Sequence, residues 1–238
     1  MKNILLASVM LFFGMTFGSI INSSVSARQI MIVSDEGVPL PEGVVAVEYI
    51  ESTDPSQYID IGYVIKSDKE ICSVSYMRTN SDGYAFAGIG RYGNGMNFYL
   101  YSGNGCDVSY GRTVYNVWDG NLGGVNEIVK VTFGNGLAVA RNINRDYSIT
   151  KEIGQYDFSG NMRSFWLFKS NGAAEFATPI GLRFIGAEIE LNGNELCNII
   201  PVRTMNNRGE FIGAVYDIVR SELFTNSGSG DFIIGPDK

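Results

Sequence analysis

The chain has 238 residues, 45% of them hydrophobic, which is enough to build one large β core or two small ones. Only 18% are charged and the net charge is −7, a balance that excludes the clustered cations demanded by nucleic-acid phosphates or an anionic membrane surface. There is no histidine, so Ser-His-Asp and Cys-His nucleophiles, His-ligated zinc and a histidine acid or base are all excluded.

In chain order, Lys2, the apolar run Ile4 to Phe17 and the closing Val25-Ser26-Ala27 predict a cleaved signal segment over 1–27. The run is short of the about 20 residues a bilayer requires, and no later stretch is long and apolar enough to cross one. The mature chain is therefore expected to be exported, to the periplasm, the cell surface or the cell exterior, without a membrane span. Residues 28–43 read as a lead-in and 44–238 as one domain.

Within that domain the hydrophobic period is two. Ile59, Ile61, Tyr63 and Ile65 share one face; so do Met96, Phe98 and Leu100, and so do Val129, Val131 and Phe133. In Arg183 to Leu191, alternation places Ile185, Ala187, Ile189 and Leu191 opposite Glu188 and Glu190. Turn signals fall between the runs at Asp82-Gly83, Asn94-Gly95, Asn104-Gly105, Asp119-Gly120, Asn135-Gly136, Asn171-Gly172 and Asn192-Gly193. Short strands with regular glycine turns predict an all-β sandwich or jelly roll. One segment dissents: Ile212, Val215, Tyr216, Val219 and Leu223 follow helical spacing. Cys72, Cys106 and Cys197 form an odd set in which any pairing leaves one thiol free, and buried free thiols are the favoured reading.

Two blocks carry a family resemblance. The opening Val47-Glu48-Tyr49-Ile50-Glu51-Ser52-Thr53 with Gln57 to Tyr63 is similar to the start of concanavalin A-like (LamG-like) domains of bacterial surface and phage-tail proteins. The close resembles them more strongly, from Ile200-Pro201-Val202-Arg203 through Gly213-Ala214-Val215-Tyr216-Asp217 to Leu223 and Phe232. The resemblance implies an all-β, two-sheet antiparallel jelly-roll sandwich. It also implies that Gly213 to Phe224 is strand, turn and strand, and that expectation is preferred to the helical spacing.

For chemistry, the glucanase branch of that family uses alternate carboxylates on one strand as nucleophile and general acid. Glu188-Ile189-Glu190 offers such a pair, but the next alternate position is Asn192, so the set is incomplete and no catalytic residue is assigned. The favoured candidates are ligand-binding ones: Asn97, Tyr99 and Tyr101 on the face opposite Met96 and Phe98, with Tyr115 and Trp118 following. Exposed rings stack on the apolar faces of sugars while amides fix hydroxyls, although tyrosines on a sheet face also stabilise by cross-strand pairing. Trp166, inside Phe165-Trp166-Leu167-Phe168, is expected in the core. The resemblance leaves calcium open, with Asp54, Asp60, Asp107 and Asp119 in or near turns, but none forms a dense acidic loop and no cofactor is assigned. The expected function is a non-catalytic exported module that binds a glycan or a surface protein. A structural or adhesion domain without a small ligand comes second, and a glycoside hydrolase using Glu188 and Glu190 third.

Overall fold

A computed structural model describes residues 39–80, 85–91, 94–101, 105–117, 122–172 and 180–238, with backbone alone at 85, 86, 90, 91, 94, 99–101 and 105. The expected signal segment, residues 28–38 of the lead-in, Trp118, Asp119 and the Asp82-Gly83 turn lie outside the described residues. Every regular element among the described residues is a strand, so none is a helix long and apolar enough to cross a membrane.

The strands are β1 (Val45–Ala46), β2 (Ile50–Glu51), β3 (Ile59–Asp60), β4 (Glu70–Arg78), β5 (Ala85–Arg91), β6 (Asn94–Tyr101), β7 (Gly105–Gly111), β8 (Thr113–Asn116) and β9 (Ile128–Gly134). They continue with β10 (Leu137–Asn142), β11 (Tyr147–Glu152), β12 (Trp166–Leu167), β13 (Ser170–Asn171), β14 (Leu182–Leu191), β15 (Asn194–Met205), β16 (Phe211–Asp217), β17 (Glu222–Thr225) and β18 (Ile233–Ile234). Two antiparallel sheets pack as a sandwich. The larger runs β11-β10-β9-β4-β14-β15-β16-β17, and the smaller β3-β12-β5-β6-β7-β8. The short β13 runs parallel to its neighbour β5.

The larger sheet opens where β14 and β15 diverge, and segments distant in sequence fill the gap. β2 pairs with the start of β14 and with β18, while β1 pairs with β15. Val47 bridges to Asp237, whose carboxylate accepts both Nε and Nη2 of Arg203 at 2.6 and 2.7 Å.

Alternation builds the core as expected. Ile59, Ile61 and Ile65 are fully buried, as are Met96, Phe98, Val131 and Phe133. Phe98 of the smaller sheet meets Tyr76 and Phe133 of the larger, each at a centroid distance of 5.9 Å, so these rings join the two layers. Each such side chain removed from water contributes about 1.5–3 kcal/mol. A second, smaller cluster of Ile200, Val202, Ala214 and Tyr216 lies against Leu40, Val44 and Ala46.

Turn chemistry explains two of the hairpins. Asn135-Gly136 joins β9 to β10 and Asn192-Gly193 joins β14 to β15, with φ of 49° and 82° in the first and 53° and 78° in the second. Two successive left-handed residues give a tight turn whose twist matches its strands. Asn94-Gly95 corrects the expectation. Asn94 pairs with Arg91 and Gly95 with Gly90, so both belong to the ladder and not to the turn. In β14 a bulge between Phe184 and Gly186 resets the alternation: Leu182 and Phe184 face the core before it, Ala187 and Ile189 after it, and Ile185 leaves the inward set.

The segment with helical spacing is a hairpin of β16 and β17. Buried Asp217 holds its turn by accepting the N–H groups of Asn198, Val219 and Arg220 at 3.1, 3.0 and 3.3 Å, and the Arg220 guanidinium at 2.5 Å. The three cysteines are free and buried. Cys72 and Cys197 flank Ile189 from opposite neighbouring strands. That places them about 9–10 Å apart, beyond the reach of a disulfide.

Candidate functional site

One row across the smaller sheet separates its two faces. Ile59, Leu167, Ala87, Phe98, Val108 and Tyr115 are cross-strand neighbours on the core side. The adjacent row, Asp60, Trp166, Gly88, Asn97, Ser109 and Val114, therefore occupies the opposite face. In the middle of that face Asn97 and Ser109 are fully buried, whereas Asp60 and Trp166 at the β3–β12 edge are half-buried and reach solvent.

Trp166 thus corrects its expected place in the core. Phe165, Leu167 and Phe168 are buried, and alternation turns the residue between the first two outward. The signal was present in the period, but hidden inside an unbroken apolar run. The indole stacks on half-buried Tyr58 with ring centroids 4.2 Å apart and planes 28° from parallel. Tyr58 is itself fixed by its backbone, its N–H donating to Asn226 Oδ1 at 3.3 Å and its carbonyl accepting Ser227 N–H at 2.8 Å. The buried Trp166 Nε1–H has no acceptor among the described residues. A donor in that condition costs about 1–3 kcal/mol, and such groups call for an explanation.

Beside the ring pair lies a chain of polar groups. Asp60 Oδ1 accepts Gly62 N–H at 2.8 Å, and Asp60 Oδ2 accepts Ser164 Oγ–H at 2.8 Å. Asn171 Nδ2 donates to Ser164 O at 2.9 Å and reaches its Oγ at 3.3 Å. Asn171 returns to Ser164 because the chain reverses after β12. Phe168 adopts φ 66°, a conformation bulky residues avoid, and burial against Phe184 and Phe232 holds it there. The result is a partly exposed aromatic stack next to an oriented carboxylate, a hydroxyl and an amide. An apolar ring face flanked by fixed hydrogen-bonding groups suits a polyhydroxylated ring.

Of the residues expected from sequence, the two with described side chains, Asn97 and Tyr115, lie on opposite faces of the smaller sheet. Asn97 lies in the row of Trp166, but its side chain is fully buried and its Nδ2 donates to Ile89 O at 2.9 Å. Glycine at the paired position 88 leaves room beside it, since a Cβ there would lie 2.4 Å from Asn97 Cβ. Tyr99 pairs with Ala85 and Asp107, and Tyr101 with Gly105; their side chains, and Trp118 entirely, lie outside what is described. Tyr115 is half-buried on the core face, where its hydroxyl accepts Gly154 N–H at 2.7 Å. Glu188 and Glu190 are on β14 of the other sheet, with Glu188 Oε2 ion-paired to Lys130 Nζ at 3.0 Å. Among the described residues no three acidic or cysteine side chains gather as a cation site. Asp54 Oδ1 accepts the N–H and Oγ–H of Ser56, and Asp107 Oδ1 accepts Asn116 Nδ2–H.

No protein-family model and no curated protein matches the sequence. Among solved structures, the chain is similar to a protein of Bacteroides ovatus named a "putative carbohydrate binding protein", with a TM-score of 0.50 and 12% identity. The superposition covers 81% of this chain and 60% of that one, so the chain spans less than two thirds of its neighbour. At this identity the likeness is one of fold, and it agrees with a β-sandwich.

Proposed function

We propose that this chain is an exported, non-catalytic carbohydrate-binding module of the concanavalin A-like kind, holding a sugar ring at the Tyr58–Trp166 edge of its smaller sheet. The observation that carries the reading is the stacked, half-buried ring pair beside Asp60, Ser164 and Asn171. The name of the Bacteroides ovatus neighbour and the resemblance at both ends of the domain support it. Export rests on the signal-like residues 1–27, and Tyr99, Tyr101 and Trp118 remain candidates on sequence grounds for extending the same surface.

The test is a glycan array probed with the full chain, followed by calorimetry on the best binder. Trp166→Ala is expected to weaken binding about tenfold, or about 1.4 kcal/mol, with an unchanged far-ultraviolet spectrum and a melting curve that stays cooperative. No glycan bound above background, or equal affinity in the folded variant, removes the reading. A second reading, contact with a surface protein, has one observation in its favour. Met205 and Phe211 are register partners at the β15–β16 end and each is 56% exposed. A blank array together with cell binding lost in Phe211→Ser would favour that alternative.

A further inference from the structure

We infer, resting on the glycan reading above, that this site takes a neutral pyranose presenting adjacent hydroxyls to Asp60, and turns away uronic and sialic acids. Asp60 is the cross-strand neighbour of Trp166 on the outward face, so a ring laid along the aromatic pair brings its rim to the carboxylate. Both oxygens of that carboxylate are already oriented by one neutral donor each, Gly62 N–H and Ser164 Oγ–H, both at 2.8 Å. An ionised carboxylate oxygen has room for a further donor, and the group accepts only. Two hydroxyls on neighbouring ring carbons supply two such donors.

Ser164 is kept in its role by Asn171, whose Nδ2 lies 3.3 Å from Ser164 Oγ, so the hydroxyl hydrogen is directed to Asp60. No cation forms an ion pair with Asp60 among the described residues. A sugar carboxylate or sulfate delivered to those oxygens therefore meets a like charge without an ion-pair partner among the described residues, the neighbouring Arg163 being engaged at Asn171 O at 3.4 Å, on a chain whose net charge is already −7. At about 4 Å near a protein surface such repulsion exceeds the thermal energy several-fold, enough for at least about tenfold discrimination.

The experiment compares neutral oligosaccharides (cello-, manno- and galacto-oligosaccharides) with oligogalacturonate and sialyllactose by calorimetry at low and high salt. The proteins are the wild type, Asp60→Asn, Ser164→Ala and Trp166→Ala, each checked for folding by its melting curve. The expected result is neutral-sugar binding by the wild type. Asp60→Asn should weaken it about tenfold and narrow the neutral-to-anionic preference by a similar factor. Ser164→Ala keeps the charge, so it should weaken neutral binding while still excluding the acids, which retains a test if Asp60→Asn fails to fold. Wild-type binding of an acidic sugar as tight as the neutral ones, lost in Trp166→Ala, overturns this inference and leaves the glycan reading standing. Neutral binding that needs Trp166 but is unmoved by Asp60→Asn and Ser164→Ala also overturns it. Failure of every sugar overturns the glycan reading itself.

Discussion

Glu70 opens β4 with a buried carboxylate that has three donors around it: Tyr63 Oη–H at 2.7 Å, and the N–H groups of Lys66 and Ser67 at 2.9 Å each. Burial, and then the bond to Glu70, push the Tyr63 phenol far up, so it stays a donor. Glu70→Ala leaves those donors without an acceptor in a nearly dry place, a loss of about 1–3 kcal/mol. In a urea titration the midpoint should fall with an unchanged slope. Glu70→Gln keeps an acceptor and should lose less. A loss under about 0.5 kcal/mol for the alanine variant would place it among ordinary surface changes. Nothing in the sequence marks Glu70, because a glutamate at a strand start resembles a solvated end until the 63–70 turn folds back on it. Trp166 is the opposite case: the period of two carried its outward direction, and only the run of apolar neighbours concealed it.

At the scale of the element, period and turn chemistry were legible where contacts are local. The Asn135-Gly136 and Asn192-Gly193 hairpins needed only two residues, and alternation in β6 and β9 needed only one strand. What failed depends on partners distant in the chain. The bulge at Ile185 is set by how β14 pairs with β4, and the β16–β17 turn is held by Asp217 with Arg220, whose Nη2 also donates to Ile61 O at 2.8 Å. Helical spacing in Phe211 to Phe224 was therefore coincidence: Val215 lies in the core, while Val219 is 43% and Leu223 40% exposed. Gly88 is a further case of long-range demand. It has φ 133°, and a Cβ there would sit 2.3 Å from Met96 O and 2.4 Å from Asn97 Cβ, both in β6. Gly88→Ala should force β5 and β6 apart and cost about 3 kcal/mol or more. Hydrogen exchange should quicken in β5, β6 and β12 and leave β9 to β11 protected; uniform protection in a fully stable variant would contradict the close approach.

For the molecule as a whole, the absence of histidine removes the group that ordinarily titrates between pH 5 and 8, so stability should form a plateau there with a fall on each side. On the acid side, several carboxylates are held below their ordinary values. Asp54 is held by Ser56, Asp157 by Ser159 and Asp237 by Arg203. For Glu127, partial burial pulls upward but is outweighed by Gly124 N–H, Arg145 and Asn142. A lowered folded value stabilises above the unfolded value and loses that contribution as pH falls through the folded one. The acid decline therefore begins below about pH 4. On the alkaline side the signs reverse. Burial raises the thiols of Cys72, Cys106 and Cys197 and the phenols of Tyr63, Tyr76 and Tyr110. Unfolded chains release those protons from about pH 8.5 to 10, while the folded protein holds them, so stability drops as pH rises through that range. Thermal melts from pH 3 to 11 should give midpoints level between 5 and 8, falling below 4 and above about 9. A thiol-reactive dye should find no reactive cysteine in the native protein at pH 8 and three after unfolding. A midpoint that moves steeply between pH 5 and 8 would require a titrating group that neither the composition nor the described packing supplies.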